Sequence, residues 1–322
     1  MHTPKALPQP SGPPGRLRSS RFLHSFRGYV KYKYLTILFL PAAVYYFIFH
    51  YMPIYGILIA FKNYKFSLGV MGSPWVGLDH FRELFALGSF WQVFRNTLIL
   101  SLYKLVFGFP APILFALLLN EIRVSFFKRT VQTISYFPHF LSWVVLSGLA
   151  IQFLSPSIGP VNILLQMLGF KPIFFMGNAE WFRSVLVVTD VWKELGWGTI
   201  VYLAAIAGVN PELHEAATVD GANRFHRMRY VTLPAMAPVI TIMLIIAIGR
   251  LINDDFDQVF NMYNKAVMEV GDVLSTYTYR VGLENMQYSF STAVGLFKNV
   301  IAFALVLTAN AIARRINEYG LW

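Results

Sequence analysis

The sequence predicts an all-α membrane protein with six transmembrane helices. Of its 322 residues, 56% are hydrophobic and only 13% are charged, and the mean hydropathy is +0.51. Soluble domains carry about 25% charged residues. Six apolar runs reach the roughly 20 residues that are needed to cross a bilayer. The chain has no cysteine, which excludes disulfides, thiol nucleophiles and cysteine-ligated metals.

The first 34 residues differ in composition from the rest and predict a separate segment. Residues 1–34 are rich in proline at the start and in Lys and Arg toward the end. Such a segment cannot bury a core, and its basic end favours contact with lipid headgroups. The next apolar run is too long for a signal peptide, and no small-residue cleavage site follows it. We expect a basic, partly disordered cytoplasmic tail over 1–34 and one six-span transmembrane domain over 35–322.

The six apolar runs give the predicted helices in chain order. Proline lies inside several of them, for example at Pro41, Pro110 and Pro138, and predicts kinks that neighbouring helices compensate. The runs cover residues 35–60, 92–119, 131–154, 184–207, 232–252 and 291–312.

The distribution of Lys and Arg predicts the orientation in the membrane. With the N-terminus inside, fifteen of these residues fall on the inner side and eight on the outer side. Cytoplasmic segments carry the excess of positive charge. Both termini and the loop between the fourth and fifth runs are therefore expected in the cytoplasm. The same bias explains the net charge of +11 without a nucleic-acid partner.

The loop between the fourth and fifth runs, at about residues 208–231, predicts a polar helix-turn-helix. Asn210 can cap the first helix, and Pro211 suits its first position. The turn at Gly221 needs a residue that tolerates positive φ. A second short helix fits residues 222–231, and the Leu-Pro pair at 233–234 is expected to end it.

The same loop carries a motif with many fixed positions: Glu215, Ala216, Ala217, Gly221, Val231 and Pro234. The motif resembles the Glu-Ala-Ala coupling loop of binding-protein-dependent ABC importer permeases, in which this loop seats in a groove on the ATPase subunit. The resemblance implies the type I permease fold. It also implies that the contacts with the ATPase include Glu215, Ala216, Ala217, Asp220 and Gly221.

The fourth run contains ionisable residues, which are costly at membrane depth and usually face a cavity or a partner. Asp190 and Lys193 lie three residues apart, so one interpretation is that they neutralise each other on one helix face. The other is a polar wall of a substrate path, with tryptophan rings that stack on sugars. The candidates in this run are Asp190, Trp192, Lys193, Glu194 and Trp197.

Further path candidates follow the fifth run and lie in the sixth: Arg250, Asn253, Asp254, Gln258, Asn261, Lys298 and Asn299. For a neutral sugar, the cations among them need acidic partners within the chain, whereas an acidic sugar could offer them its own carboxylates. The residues alone leave both substrates open.

Several other stretches resemble permeases of the oligosaccharide and polysaccharide import branch: residues 61–64, 75–81, 271–273, 277–283 and 288–293. Within that branch, the chain is most similar to the larger permease subunit of an alginate-oligosaccharide importer. The resemblance favours an acidic, alginate-like oligosaccharide as substrate, and a neutral oligosaccharide is the alternative.

The sequence offers no catalytic arrangement. It contains no G-x-x-x-x-G-K-[ST] motif, and Thr218 stands where an H-E-x-x-H motif starting at His214 needs its second histidine. We therefore expect no enzyme activity, metal or cofactor in this chain, with ATP and magnesium bound by partner ATPase subunits.

The resemblance implies the remaining partners and the location. The partners are a second related permease, two ATPase subunits, an extracytoplasmic solute-binding protein and membrane lipid, in the bacterial cytoplasmic (inner) membrane. The alternative from another class is a secondary transporter or channel that works without an ATPase. It predicts an inverted repeat and no coupling loop, contrary to this sequence.

Overall fold

The computed structural model describes residues 32–252 and 255–317, and within them the chain is helical apart from turns and one β-bridge between Lys62 and Trp75. The predicted all-α class is therefore confirmed. The chain forms two compact units, Met1–Ile57 and Leu58–Trp322.

The described part of the first unit is one apolar helical run. Helix α1 (Lys33–Tyr46) contains Pro41 and has no buried residue. It continues as a π-helical segment (Phe47–Tyr51) and then as a 3₁₀ segment (Met52–Phe61) that leads into the second unit. A helix that is apolar on every side suits lipid.

The second unit contains the other predicted spans, several of them bent. The second run is one continuous helical span, Gly88–Glu121, which contains a π-helical segment (Lys104–Gly108). The third run bends by 107° between the segments Ser125–Phe140 and Trp143–Phe153. The helices are α2 (Gly69–Gly72), α3 (Asp79–Ala86), α4 (Gly88–Tyr103), α5 (Pro110–Glu121), α6 (Ser125–Tyr136), α7 (Trp143–Phe153), α8 (Pro160–Met167) and α9 (Ala179–Ala207).

The rest of the second unit runs from the coupling loop to the C-terminal helix. Its helices are α10 (Pro211–Val219), α11 (Arg224–Arg227), α12 (Leu233–Ala235), α13 (Ala237–Gly249), α14 (Phe256–Met262), α15 (Met268–Gly271), α16 (Leu274–Tyr279) and α17 (Tyr288–Asn317).

The predicted count of six spans stays a prediction. By length and composition, three described helices can cross a membrane: Lys33–Phe61, Gly88–Glu121 and Tyr288–Arg315. The number becomes five if each bent pair counts as one span. The fourth run forms the 29-residue helix α9, which is long enough but carries several ionisable residues.

Helix α9 contributes to two of the apolar clusters of the second unit. Its Phe182 and Leu186 are fully buried in one apolar cluster, and its Tyr202 belongs to another. Each large side chain buried in this way contributes about 1.5–3 kcal/mol. Gly196 lies against the backbone of Ser135, where a β-carbon would collide with the Ser135 carbonyl oxygen. This close approach fixes α6 against α9.

A buried amide ties the segment after the fifth run to the helices. Asn96 Nδ2 donates to the carbonyl oxygens of Glu269 at 2.7 Å and Asp272 at 3.2 Å, and its Oδ1 accepts a hydrogen bond from Arg183 at 2.8 Å. Because Asn96 lies on α4 and Arg183 on α9, these hydrogen bonds fix α15 and the residue after it to both helices.

One predicted boundary is wrong. The Leu-Pro pair at 233–234 does not end the second helix of the coupling loop, because α11 continues through a π-helical segment (Met228–Thr232) into α12. The Leu233 N–H bonds to the carbonyl of Met228, five residues back. This wider turn accommodates Pro234, which lacks an N–H. The bend of 63° comes later, between Arg224–Ala235 and Ala237–Gly249.

Candidate functional site

A cavity of about 520 Å³, here named the central cavity, lies among the second to fifth predicted spans. Its lining is partly apolar, and helices α9 and α13 both contribute residues to it. The polar and aromatic lining includes Ser101, Lys104, His139, Trp143, Asp190, Glu194, Tyr202, Arg250 and Asp255.

Lys104 is the centre of a charge cluster in one wall. Its Nζ donates to Asp190 Oδ1 at 3.1 Å, Asp255 Oδ2 at 2.8 Å and Gln258 Oε1 at 2.6 Å. The Lys104 and Asp190 side chains are only 15% and 14% exposed. All three ammonium donors are therefore used, and this cation is neutralised within the chain.

Gln258 connects this charge cluster to α9 through hydrogen bonds. It is fully buried, and its Nε2 donates to the Leu186 carbonyl at 2.7 Å and to Thr189 Oγ1 at 2.9 Å. The amide thereby turns its oxygen toward Lys104 and holds α14 against α9. Gln258, one of the predicted path residues, lies outside the cavity lining.

A second polar group joins the break in the third run to α9. His139 Nδ1 lies 3.1 Å from Glu194 Oε2, and both residues line the central cavity. The Trp197 ring stacks on the His139 ring with a centroid separation of 4.4 Å and an angle of 1° between the planes. Trp197 thus orients His139 rather than lining the cavity itself.

Lys193 has a different environment from the one its spacing suggested. It is 8% exposed, and its Nζ donates to the carbonyl oxygens of His139 at 2.7 Å and Leu141 at 2.8 Å. These bonds satisfy backbone groups at the 107° bend. Among the described residues, no ion pair forms between Lys193 and Asp190, because Asp190 faces Lys104. Trp192 lines a separate apolar cavity of about 680 Å³.

Arg250 follows the last residue of α13 and lines the central cavity. Within residues 32–252 and 255–317, no carboxylate lies within ion-pair distance of its guanidinium. Asn253 and Asp254 lie outside the described residues. Asn261 donates to the Asp257 carbonyl at 2.7 Å, within its own helix α14.

Lys298 and Asn299 line a third cavity, of about 490 Å³, on α17. The sequence candidates thus separate into groups. Asp190, Glu194 and Arg250 share the central cavity, while the other described candidates support it or lie elsewhere. Among the charged and histidine side chains of the central cavity, Lys104, His139 and Asp255 were not among the path candidates chosen from the sequence. The available signal was an ionisable side chain inside an apolar run, as at Lys104.

The predicted helix-turn-helix of the coupling loop is present. Asn210 Oδ1 accepts a hydrogen bond from the Glu212 N–H at 3.0 Å, and Gly221 adopts φ +78° as expected. Arg227 donates to Thr218 Oγ1 at 2.7 Å and connects the two helices.

The surface of this loop is exposed and partly apolar. Val219 is 88% exposed, and Leu213, Phe225 and Tyr230 are also exposed. An exposed apolar patch with a polar rim is typical of a protein interface. Of the five residues expected to contact the ATPase, Ala217 is half-buried and the other four are exposed: Glu215, Ala216, Asp220 and Gly221.

The comparisons with known proteins agree with this geometry. Residues 108–318 match the family described as binding-protein-dependent transport system inner membrane component. Two proteins of Bacillus subtilis (strain 168) are each 44% identical: LplB, over 90% of this chain and 91% of that protein, and the polygalacturonan/rhamnogalacturonan transport system permease protein YteP, over 91% of each.

Two solved structures are also similar. One is a bacterial ABC transporter involved in the import of the acidic polysaccharide alginate, and the other is such a transporter in complex with an alginate pentasaccharide-bound periplasmic protein. In both, the matching chain is 40% identical with a TM-score of 0.85. The match to the first covers 91% of this chain and 99% of the other.

The charge cluster yields a stability prediction. Lys104→Met leaves two carboxylates close together without their cation, and breaking such a buried pair costs about 3–5 kcal/mol. We expect a clearly lower midpoint of thermal unfolding in detergent, followed by tryptophan fluorescence. Adding Asp190→Asn to the variant should restore part of the loss.

Arg82→Met is the control, because the Arg82–Asp79 pair is largely exposed and such pairs contribute about 1 kcal/mol or less. Equal midpoints for Lys104→Met and Arg82→Met would contradict a structural role of the cluster.

Proposed function

The chain belongs to the family of binding-protein-dependent transport system inner membrane components, and we propose that it forms the path by which an ABC importer takes up an acidic oligosaccharide. It is a permease subunit and not itself an enzyme, since ATP hydrolysis in these importers belongs to partner subunits. The predicted resemblance to permeases of binding-protein-dependent oligosaccharide importers is confirmed.

Arg250 is the observation that carries the choice of an acidic substrate. It lines the central cavity, and a guanidinium can hold a carboxylate through two parallel hydrogen bonds. Lys104 is already neutralised by two carboxylates. Arg250 is therefore the cavity cation whose charge no described carboxylate balances. Two similar proteins support this choice. One belongs to a transporter involved in alginate import, and YteP is a polygalacturonan/rhamnogalacturonan permease. Alginate and polygalacturonan both consist of uronate sugars.

A neutral oligosaccharide is the second candidate, and one feature favours it. The central cavity contains three carboxylates, those of Asp190, Glu194 and Asp255, against the two permanent cations Lys104 and Arg250. Glu194 faces His139, and the other two face Lys104, so each has a polar partner. We therefore favour the acidic sugar. The two substrates can be distinguished by comparing the uptake of uronate and neutral oligosaccharides by the complex.

The proposed assembly follows from the family and from the surfaces described above. We propose a second related permease, two ATPase subunits that bind ATP and magnesium, and an extracytoplasmic solute-binding protein. One similar structure contains a sugar-bound periplasmic protein, which supports the last of these. In this proposal, closure of the ATPase pair moves the coupling loop, and the permeases switch between outward-facing and inward-facing states.

The proposed coupling contact uses Glu215, Ala216, Ala217, Asp220 and Gly221. Support comes from their exposure and from the neighbouring apolar side chains Val219 and Phe225. We propose that the loop lies in the cytoplasm, with both termini on the same side.

The orientation can be tested with introduced cysteines, because the natural chain has none. Cysteine at position 224 should react with a membrane-impermeant maleimide only after the cells are opened. Cysteine at position 66, in the first outer segment, should react in intact cells. Labelling of position 224 from outside would reverse the proposed orientation.

The coupling contact predicts a specific effect of Gly221→Ala. A β-carbon at φ +78° costs about 1–2 kcal/mol from the left-handed conformation, although nothing crowds it. We expect normal membrane insertion but weaker stimulation of ATP hydrolysis by the loaded binding protein.

Gly208→Ala is the matched control for that variant. Gly208 is the first residue of the loop, before α10 begins; its φ is −84°, and a β-carbon there makes only ordinary contacts. Full stimulation in Gly221→Ala, or equal losses in both variants, would argue against this role of the turn.

Uptake into proteoliposomes tests the substrate. The wild-type complex should take up a labelled uronate oligosaccharide, and a neutral oligosaccharide of equal length should compete poorly. Arg250→Gln removes a charged hydrogen-bond donor and should slow uronate uptake by about tenfold or more. Arg82→Gln, on the exposed outer segment, should leave uptake unchanged. Uptake of neutral sugar only would exclude the acidic substrate.

A further inference from the structure

The cavity on α17, here named the aromatic cavity, is separate from the central cavity. It has a volume of about 490 Å³, within the roughly 300–1,000 Å³ of ligand pockets. The two cavities share no lining residue, but adjacent residues line them at the start of α14. Asp255 lines the central cavity, and the next residue, Phe256, lines the aromatic cavity. Consecutive Cα atoms lie about 3.8 Å apart, so the two cavities are separated by less than the length of a few connected sugar rings.

Gly295, inside α17, is the first observation that points to a ligand in the aromatic cavity. Glycine is a poor helix former, so a glycine within a helix usually serves a close contact. Gly249 is an example, since a β-carbon there would lie 2.5 Å from Val306. At Gly295, by contrast, a β-carbon meets no heavy atom within 4 Å. The missing side chain keeps the aromatic cavity open.

The same face of α17 provides polar groups. Ser291, Gly295, Lys298 and Asn299 follow one another at helical spacing and line the cavity together. Lys298 also interacts within the chain, but an ammonium has three donors. An amide, a hydroxyl and an ammonium can hydrogen-bond to sugar hydroxyls and to a carboxylate.

Another part of the lining is aromatic and firmly packed. The Phe256 and Tyr279 rings lie 5.2 Å apart, and Phe260 contacts both, at 4.9 and 5.1 Å. Such a cluster offers a fixed apolar surface, and Tyr279 adds a polar hydroxyl. One apolar face with convergent polar groups matches a sugar ring, whose C–H groups and hydroxyls point in different directions.

Gly282 and Leu283 also line the cavity and belong to a π-helical segment (Arg280–Glu284), a feature often found at functional sites. Gly282 in this segment lies so close to Ser291 that a β-carbon would collide with it. Arg280 hydrogen-bonds to both carboxylate oxygens of Asp272, which raises the pKa of Arg280 and keeps it charged. The segment is therefore held in place before any ligand binds.

We propose that the aromatic cavity is a second saccharide subsite, which binds one uronate ring while another part of the same oligosaccharide occupies the central cavity. The ring stacks on Phe256 and Tyr279, and Lys298 and Asn299 hydrogen-bond to its carboxylate. This inference rests on the proposed function, because it assumes an oligosaccharide substrate.

The test compares short and long substrates in proteoliposomes with the complete complex and saturating loaded binding protein. Gly295→Leu fills the cavity. It should lower the uptake rate of a uronate tetrasaccharide, relative to a uronate disaccharide, by about tenfold. Gly148→Leu is the control, because Gly148 on α7 also has no heavy atom within 4 Å of its β-carbon and lines neither cavity. It should keep the wild-type ratio.

Lys298→Gln is a second variant in case the leucine prevents folding. It should slow uptake of the uronate tetrasaccharide more than that of a neutral tetrasaccharide. A wild-type tetrasaccharide-to-disaccharide ratio in Gly295→Leu would overturn the subsite. The subsite would also be overturned if the complex purified with Gly295→Leu lacked the second permease while the complex with Gly148→Leu retained it. That result would mean that the cavity holds a side chain of the second permease.

Failure of the proposed function gives a different result. If the wild-type complex takes up only neutral sugars, the acidic substrate is excluded. The subsite is then tested independently of the acidic substrate, by the ratio of neutral tetrasaccharide to neutral disaccharide uptake in Gly295→Leu. A normal ratio overturns it, and a tenfold lower ratio supports a subsite for a neutral ring.

Discussion

Charges inside a membrane domain need partners, and the pairing of Lys104 with Asp190 and Asp255 shapes the centre of this protein. The two ion pairs connect a π-helical segment of the second span, helix α9 and the start of α14. Gln258 adds hydrogen bonds to α9 from the other side. Because an unpaired buried charge is so costly, these elements must meet at one point. The wall of the central cavity is the result.

Helix α9 connects this wall with the coupling loop. It carries Asp190 and Glu194 at the cavity and ends at Ala207, only a few residues before α10 begins at Pro211. The chain then returns through α11 and α12 into α13, after which Arg250 faces the same cavity. Both helices that flank the coupling loop thus contribute to the central cavity. A displacement of the loop has a short, helical route to the residues that we propose to contact the sugar.

The sequence predicted the fold well where local patterns decide it, and poorly where distant contacts do. The apolar runs gave the helical class, and Gly221 gave its turn. The partner of Asp190 could not be found by spacing, because Lys104 lies 86 residues away along the chain. Lys193 was close in sequence, but it bonds to carbonyls at a bend that the sequence does not reveal. Pro234 was expected to stop a helix, and a π-helical turn accommodated it instead.

A single-particle structure of the assembled complex with a bound uronate oligosaccharide tests the central claim most directly. We predict a sugar carboxylate within hydrogen-bond distance of Arg250 in the central cavity, with Lys104 still bound to Asp190 and Asp255. A sugar bound away from Arg250, or an Arg250 already paired with a carboxylate of the protein, would contradict it.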